Sequence, residues 1–172
     1  MGTARKTPIL DVLDLLESQH SEVDALFEAL EAKRGDRAEV FAELADKLAA
    51  HATIEEKIFY PAAMTSATED MLRESVEEHL AMKRVIADML EIDDEDDEFD
   101  AKLAVLKEQV SHHAHEEEEA KLFAMLRRTM SEDDRAALGN ECMAMFEQLI
   151  TQEPRFEVPS QTSEAAPLPA PQ

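Results

Sequence analysis

The chain has 172 residues, with 40 acidic residues against 17 lysines and arginines and a formal net charge of -23. The negative electrostatic potential of such a chain repels the phosphates of nucleic acids and anionic lipid surfaces, so we expect neither nucleic acid nor membrane as a partner. Hydrophobic residues still make up 44% of the chain, which is more than a disordered acidic chain carries, and the length predicts one folded domain.

Residues that break helices are scarce in the body of the chain. Glycine occurs three times, and no proline lies between Pro61 and Pro154, which favours helices joined by short loops. Cys142 is the single cysteine, and no apolar signal segment follows MGTARKTP, so we expect a cytoplasmic protein. No run approaches the roughly 18 apolar residues of a membrane span.

Apolar residues recur at the spacing of one helix face in three successive segments. The first segment begins at Thr7, with Pro8 at the first helical position, and ends at about Lys33. The second is capped by Asp36 and ends around Pro61. The third covers about residues 68–90. Three amphipathic helices are therefore predicted in the first half of the chain.

The acidic run DDEDDE, at residues 93–98, has no apolar member and is interpreted as a solvated loop. A fourth helix follows it and extends to about Met130. Ser131 then resembles the start of a capping box, with Asp134 as its acidic member, for a shorter fifth helix. These patterns predict two more helices after the acidic loop.

The last residues, 153–172, mix proline with Ser, Ala, Gln and Thr, a composition typical of a disordered tail. The tail would follow a helical domain at residues 1–152. Four long amphipathic helices with short connections bury their apolar stripes by packing around one interior. We therefore expect an all-α, antiparallel up-down-up-down four-helix bundle with a short fifth helix.

Four of the six histidines continue the apolar stripes, one on each predicted bundle helix. A single inward histidine is more often a hydrogen-bonded core residue than a ligand. One on every helix is hard to obtain by accident, so the joint pattern favours a shared site. These residues are His20, His51, His79 and His113.

Two of these histidines are followed by a carboxylate four residues later, in His51-Ala-Thr-Ile-Glu55 and His113-Ala-His-Glu-Glu117. Residues four apart share a helix face, so both members of each pair can reach one point. Buried charges without Lys or Arg partners are costly unless a cation is present. Imidazole and carboxylate without thiolate suit iron, manganese or zinc, and six side chains exceed one tetrahedral zinc site.

With these segments the sequence resembles the hemerythrin-like HHE cation-binding family over about residues 8–130. The matching segments are LLESQHSEVDALFEAL, HATIEEKIFYPA, EEHLAMKRVI and HHAHEEEEAKLF. The resemblance implies a non-haem di-iron centre, with two iron ions bridged by two carboxylates and an oxo or hydroxo group. It implies binding of dioxygen or a related small ligand. The implied iron ligands are His20, His51, His79 and His113, with Glu55 and Glu117 as the bridging carboxylates.

The chain departs from oxygen-carrying hemerythrins, which supply a fifth histidine one turn from the ligand on the third helix. The neighbours of His79 are here Ser75, Val76, Met82 and Lys83. One iron would then lack a histidine and have a more open site. This favours sensing, peroxide or nitric oxide chemistry, or iron-linked redox work over oxygen carriage alone.

The fourth helix carries a second departure. Glu117 precedes the Leu122-Phe123 pair by five residues, and a regular helix with His113 inward would expose Leu122. One extra residue in a π-bulge would turn both His113 and Leu122 inward. If the bulge precedes the carboxylate, the bridging residue is Glu118.

A rival register needs no bulge and uses His115 with Glu119, which are also four residues apart. We prefer His113 because it continues the apolar stripe of its helix. Tyr60, the only tyrosine, is expected to pack in the core rather than to line a pocket.

Three functions remain open from the sequence. The first is a di-iron protein that binds or senses dioxygen, and the second is a di-iron enzyme that turns over peroxide or nitric oxide. The third is a metal-free acidic helical module that docks a basic partner. The first two predict that chelation lowers thermal stability, because a ligand that binds only the native state stabilises it.

Overall fold

The computed structural model describes residues 10–172, and this part of the chain contains helices and no strand. The first three long helices occupy residues 12–90 and carry the predicted apolar stripes. Helix α1 spans Val12–Glu31 and α3 spans Glu69–Leu90. Helix α2 begins as Arg37–Ile54, continues as a π-helix over Glu55–Phe59 and ends in the α-helical turn Tyr60–Ala63.

The remaining helices follow the acidic run. Helix α4 begins as Asp97–Ser111, continues as a π-helix over His112–Phe123 and ends as Ala124–Thr129. Helix α5 spans Glu132–Ile150, and a 3₁₀-helix covers Pro154–Gln161. At 19 residues α5 is the shortest of the five helices, as expected, although it is only one residue shorter than α1.

Several helices begin after a residue whose side chain caps the first turn. The Asp36 side chain accepts a hydrogen bond from the backbone N–H of Glu39, and Ser131 accepts one from that of Asp134, which confirms both predicted caps. The helix start predicted at Thr7 lies outside the described residues. Within the described residues, α1 begins after Asp11. That residue accepts a hydrogen bond from the N–H of Leu13 at 2.9 Å.

The acidic run at 93–98 is only partly a loop, because α4 already begins at Asp97, after the cap Asp96. The carboxylates of Asp97, Glu98 and Asp100 occupy the first turn, where the positive end of the helix dipole offsets their mutual repulsion. The expectation that like charges exclude a helix over the whole run was therefore wrong at its last two residues.

The π-helical segment of α4 agrees with the predicted bulge. Leu122 is 1% exposed and Phe123 is fully buried, so the extra backbone residue restores the apolar face beyond the acidic run. A second π-segment in α2, Glu55–Phe59, had no counterpart in the sequence-based prediction.

The segment after α5 is ordered against the bundle, contrary to the expected disordered tail. Pro154 and Val158 are buried, and the 3₁₀-helix contacts α2 and α3. The Arg155 guanidinium also pairs with the carboxylate of Asp46 on α2 at 2.6 Å. Two buried apolar side chains and one ion pair thus hold a stretch whose average composition is that of a disordered chain.

The buried apolar side chains form two clusters, with a polar layer between them. Phe59, Tyr60 and Phe123 belong to the first cluster, and Phe27 and Phe99 to the second. The inward histidines and carboxylates form the layer. Within residues 10–172, no helix is long and apolar enough to cross a bilayer.

Candidate metal centre

The four histidines on the apolar stripes converge as two pairs. Nε2 of His20 on α1 lies 3.2 Å from Nε2 of His51 on α2. Nε2 of His79 on α3 lies 3.1 Å from Nε2 of His113 on α4. All four side chains are buried, so each bundle helix contributes one inward imidazole.

The carboxylate of Glu55 spans both histidine pairs. Its Oε1 lies 3.1 Å from Nε2 of His51, and its Oε2 lies 3.1 Å from Nε2 of His79. Glu55 is fully buried. One side chain therefore presents one oxygen to each pair.

Glu118 on α4 also spans both pairs, but it lies next to the other histidine of each pair. Its Oε2 lies 3.2 Å from Nε2 of His20, and its Oε1 lies 3.6 Å from Nε2 of His113. Glu118 is also fully buried. The layer thus contains two carboxylates, each placed between the same two pairs of imidazoles.

Glu117, the first of the two alternatives on α4, does not lie among the histidines. Its side chain is 17% exposed and accepts a hydrogen bond from Nζ of Lys121 at 2.7 Å. The π-helix inserts one residue between His113 and the inward carboxylate, so the spacing is five and the inward residue is Glu118.

His115, the histidine of the rival register, also lies away from the site. His115 is 36% exposed, and its Nε2 lies 2.9 Å from the Asp24 carboxylate on the surface. Glu119 lies beside the site, because it accepts a hydrogen bond from Nδ1 of His20 at 2.7 Å. It therefore supports an imidazole through the outer nitrogen.

The outer nitrogens of all four imidazoles are engaged in a closed ring around the bundle. Each Nδ1 is paired with a side chain on a neighbouring helix, and that side chain adjoins a site residue in sequence. A fixed Nδ1–H leaves the Nε2 lone pair directed inward, as in metal-ligating histidines. The pairs are His20 with Glu119 at 2.7 Å, His51 with Gln19 at 2.7 Å, His79 with Glu56 at 3.0 Å and His113 with Glu78 at 2.5 Å.

The buried carboxylates raise the pKa values of two of the inward imidazoles. Burial on its own would lower the pKa of His20, but the carboxylates of Glu118, Glu55 and Glu119 outweigh it and raise that pKa to about 9. Burial likewise opposes the effect of Glu55 and Glu56 on His79, whose pKa is also raised to about 9. The buried carboxylates therefore favour positive charge at His20 and His79.

The donor set fits metal binding. Oε1 of Glu55 and Oε2 of Glu118 are buried and receive no hydrogen bond from residues 10–172. Two groups within this range bring their potential ligand atoms within 4.8 Å of one another: His20, His51, Glu55 and Glu118 in one, and Glu55, His79 and His113 in the other. Nitrogen and oxygen donors without a thiolate suit iron, manganese or zinc.

Tyr60 belongs to the site, in contrast with the expectation that it only packs in the core. Its phenol donates a hydrogen bond to Oε1 of Glu118 at 2.7 Å and lies 3.2 Å from Oε2 of Glu55. The oxygen is also 3.3 Å from Nε2 of His79. Burial, followed by the nearby carboxylates, raises the pKa of Tyr60 well above its usual value, so the phenol remains a neutral donor.

A cavity of about 40 Å³ is lined by the four inward histidines and by apolar side chains that include Val23, Ile86 and Val110. Lys83 lines it as well and is buried, with Nζ 2.8 Å from Oε1 of Glu56. Lys83 lies one turn after His79, at one of the positions where a fifth histidine is missing. A volume of this size accommodates a small molecule of a few atoms.

A family model for the hemerythrin HHE cation-binding domain matches residues 11–126, which is more than half of the chain. The chain belongs to this family. The matched range contains all four inward histidines together with Glu55 and Glu118, and it ends before α5 and the 3₁₀-helix begin. No curated protein and no solved structure matches the chain.

Proposed function

We propose that this hemerythrin HHE domain holds two iron ions and binds dioxygen or a related small ligand at them. His20 and His51 would hold one iron, and His79 and His113 the other, with Glu55 and Glu118 bridging the two. The observation that carries the proposal is that each carboxylate presents one oxygen to each histidine pair. An antiparallel up-down-up-down order of α1 to α4 is part of this proposal.

Bound irons would supply open coordination positions and the electrons needed to react with dioxygen, peroxide or nitric oxide. The protein residues position this chemistry. The ring of Nδ1 hydrogen bonds fixes the four imidazoles, and the apolar cavity keeps bulk water from the Nε2 atoms. The buried Tyr60 phenol holds Glu118 in place through its hydrogen bond.

A second candidate function is turnover of peroxide or nitric oxide. Two features on the α3 side favour it: no histidine stands one turn from His79, and the Lys83 side chain, whose ammonium is paired with Glu56, lines the cavity instead. Such a site is more open than one closed by a fifth histidine. Comparing peroxide loss by the wild type and by His79→Ala separates turnover from reversible binding, since turnover requires the α3 ligand.

The test of the main proposal uses aerobic protein reconstituted with ferrous iron. We expect ligand-to-metal absorption that changes when dioxygen is removed and restored. We also expect chelation to lower the midpoint of thermal unfolding. Iron-loaded protein without such absorption, whose unfolding midpoint is unchanged by chelation, would support a metal-free interaction module instead.

A further inference from the structure

One wall of the ligand cavity comes from the C-terminal 3₁₀-helix rather than from α1 to α4. Val158 lines the cavity, is 1% exposed and packs within the second apolar cluster. The segment that carries it, Pro154–Gln161, lies beyond the matched range 11–126. The size of the cavity therefore depends on a side chain outside the family's own domain.

Polar contacts hold the chain on both sides of Val158. On the N-terminal side, Arg155 donates to Asp46 of α2 twice, from its backbone N–H to Oδ1 at 3.0 Å and from Nη1 to Oδ2 at 2.6 Å. On the C-terminal side, Nε of Arg84 on α3 donates to the carbonyl oxygen of Thr162 at 3.0 Å. Val158 is thus held over the gap between α2 and α3.

The anchored segment is the shortest element that lines the cavity. It is a short 3₁₀-helix with only Pro154 and Val158 buried, whereas the other walls are long helices with many buried side chains. Pro154 and Pro159 fix two φ angles, which favours movement of the segment as a unit. Moving it away from α2 and α3 breaks the Arg155–Asp46 and Arg84–Thr162 contacts and exposes the buried side chains of Pro154 and Val158.

We propose that Val158 is the residue that limits the size of the ligand and that the 3₁₀-helix carrying it is the entry gate. This inference rests on the proposed function, because the cavity is a ligand site only if metal is bound beside it. Small molecules enter when the Arg155–Asp46 contact breaks and Val158 leaves the gap. A larger side chain at 158 fills the cavity, and a smaller one enlarges it.

The size limit is tested on metal-free protein with xenon, which binds apolar cavities. Xenon binding is followed by ¹²⁹Xe NMR for the wild type, Val158→Ala and Val105→Ala. Val105 is 47% exposed on α4 and serves as the matched control. We expect stronger xenon binding for Val158→Ala only; equal binding by all three proteins overturns the role of Val158.

The gate is tested by the rate at which azide binds to iron-loaded protein in stopped flow. Arg155→Ala removes the ion pair with Asp46 that keeps the gate closed. Loss of a hydrogen bond to a charged group changes an equilibrium constant by about tenfold. The open state should therefore become about tenfold more populated, and azide should bind about tenfold faster. Arg73→Ala is the control, because Arg73 forms an exposed pair with Glu69 on α3. Equal rates for both variants overturn the gate.

The two arms separate this inference from the proposed function. If the wild type takes up no iron, the di-iron proposal fails, and the xenon comparison still decides whether Val158 limits the cavity. If the wild type holds iron and shows the expected absorption but Arg155→Ala binds azide at the rate of Arg73→Ala, the gate alone is overturned.

Discussion

The phenol of Tyr60 on α2 donates a hydrogen bond to Oε1 of Glu118 on α4 at 2.7 Å, across 58 residues of sequence. This contact joins the two π-helical regions of the bundle, because Tyr60 directly follows one and Glu118 lies within the other. It leaves the Glu118 carboxylate held at Oε1 and open at Oε2.

Tyr60→Phe is expected to weaken binding of the iron held by His79 and His113. Loss of an outer hydrogen-bond partner of a ligand lowers metal affinity by about 10- to 100-fold, and Tyr60 lies beside this histidine pair. Competition with a calibrated chelator measures the effect. Phe146→Leu changes the same apolar cluster and is expected to retain wild-type affinity. Equal affinities for Tyr60→Phe and the wild type would remove Tyr60 from the site.

The choice between adjacent glutamates on α4 is tested by a matched pair of substitutions. Glu118→Gln removes a charge from the buried layer and is expected to reduce iron affinity by more than the roughly 10- to 100-fold caused by losing an outer partner. Glu117→Gln removes the same charge from the surface and is expected to leave iron content unchanged. Iron content after gel filtration distinguishes them, and a loss in Glu117→Gln alone would restore the four-residue spacing.

Much of this site follows from the sequence because helix periodicity selects the inward face. The positions of His20, His51 and His79 required only the apolar stripes of regular helices. Glu118 was harder, since the local winding of α4 is decided by packing of Leu122 and Phe123 and not by the spacing of the acidic run. The mismatch at Leu122 was the only sequence evidence for it.

The roles of Tyr60 and of the Nδ1 hydrogen-bond partners could not be predicted from the periodicity of a single helix. In a regular helix, residues five apart differ by about 140° in direction, so Tyr60 is not expected to share a face with Glu55. The π-segment brings them together, and the Tyr60 backbone N–H bonds to the Glu55 carbonyl. The Nδ1 partners Gln19 and Glu78 act on neighbouring helices, so they become identifiable only once the helices are placed. Val158 was missed because average composition masked one buried contact.

The stability of metal-free protein is expected to fall as pH rises through about 9. The pKa values of His20 and His79 are raised from about 6.5 to about 9 in the folded state, despite burial. Their protonation therefore stabilises the fold fully below about 6.5, and this contribution is lost as pH rises through about 9. Urea unfolding at a series of pH values measures it.

The iron-loaded protein provides the comparison for this pH dependence. Metal ligation requires neutral imidazole, so the loaded protein carries no proton at these nitrogens and should not lose stability over the same pH interval. Parallel pH profiles for metal-free and iron-loaded protein would contradict the assignment of His20 and His79 as ligands.

Gly139→Ala is expected to destabilise the protein, although alanine normally favours a helix over glycine by about 1 kcal/mol. A Cβ at this position of α5 would lie 1.9 Å from the carbonyl oxygen of Leu10, just before α1. Separating the two elements is expected to cost about 1 to 3 kcal/mol in the free energy of unfolding. Asn140→Ala, at the neighbouring exposed position, is the control, and a Gly139→Ala protein as stable as the wild type would rule out this close packing.

Glu55 and Glu118 are proposed to hold two irons close enough to interact. Iron analysis of the oxidised protein, combined with its magnetic susceptibility as a function of temperature, tests this most directly. We expect two irons per chain and a diamagnetic ground state, because bridged ferric ions couple antiferromagnetically. One iron per chain, or two irons with the moments of isolated high-spin ferric ions, would contradict the bridged centre.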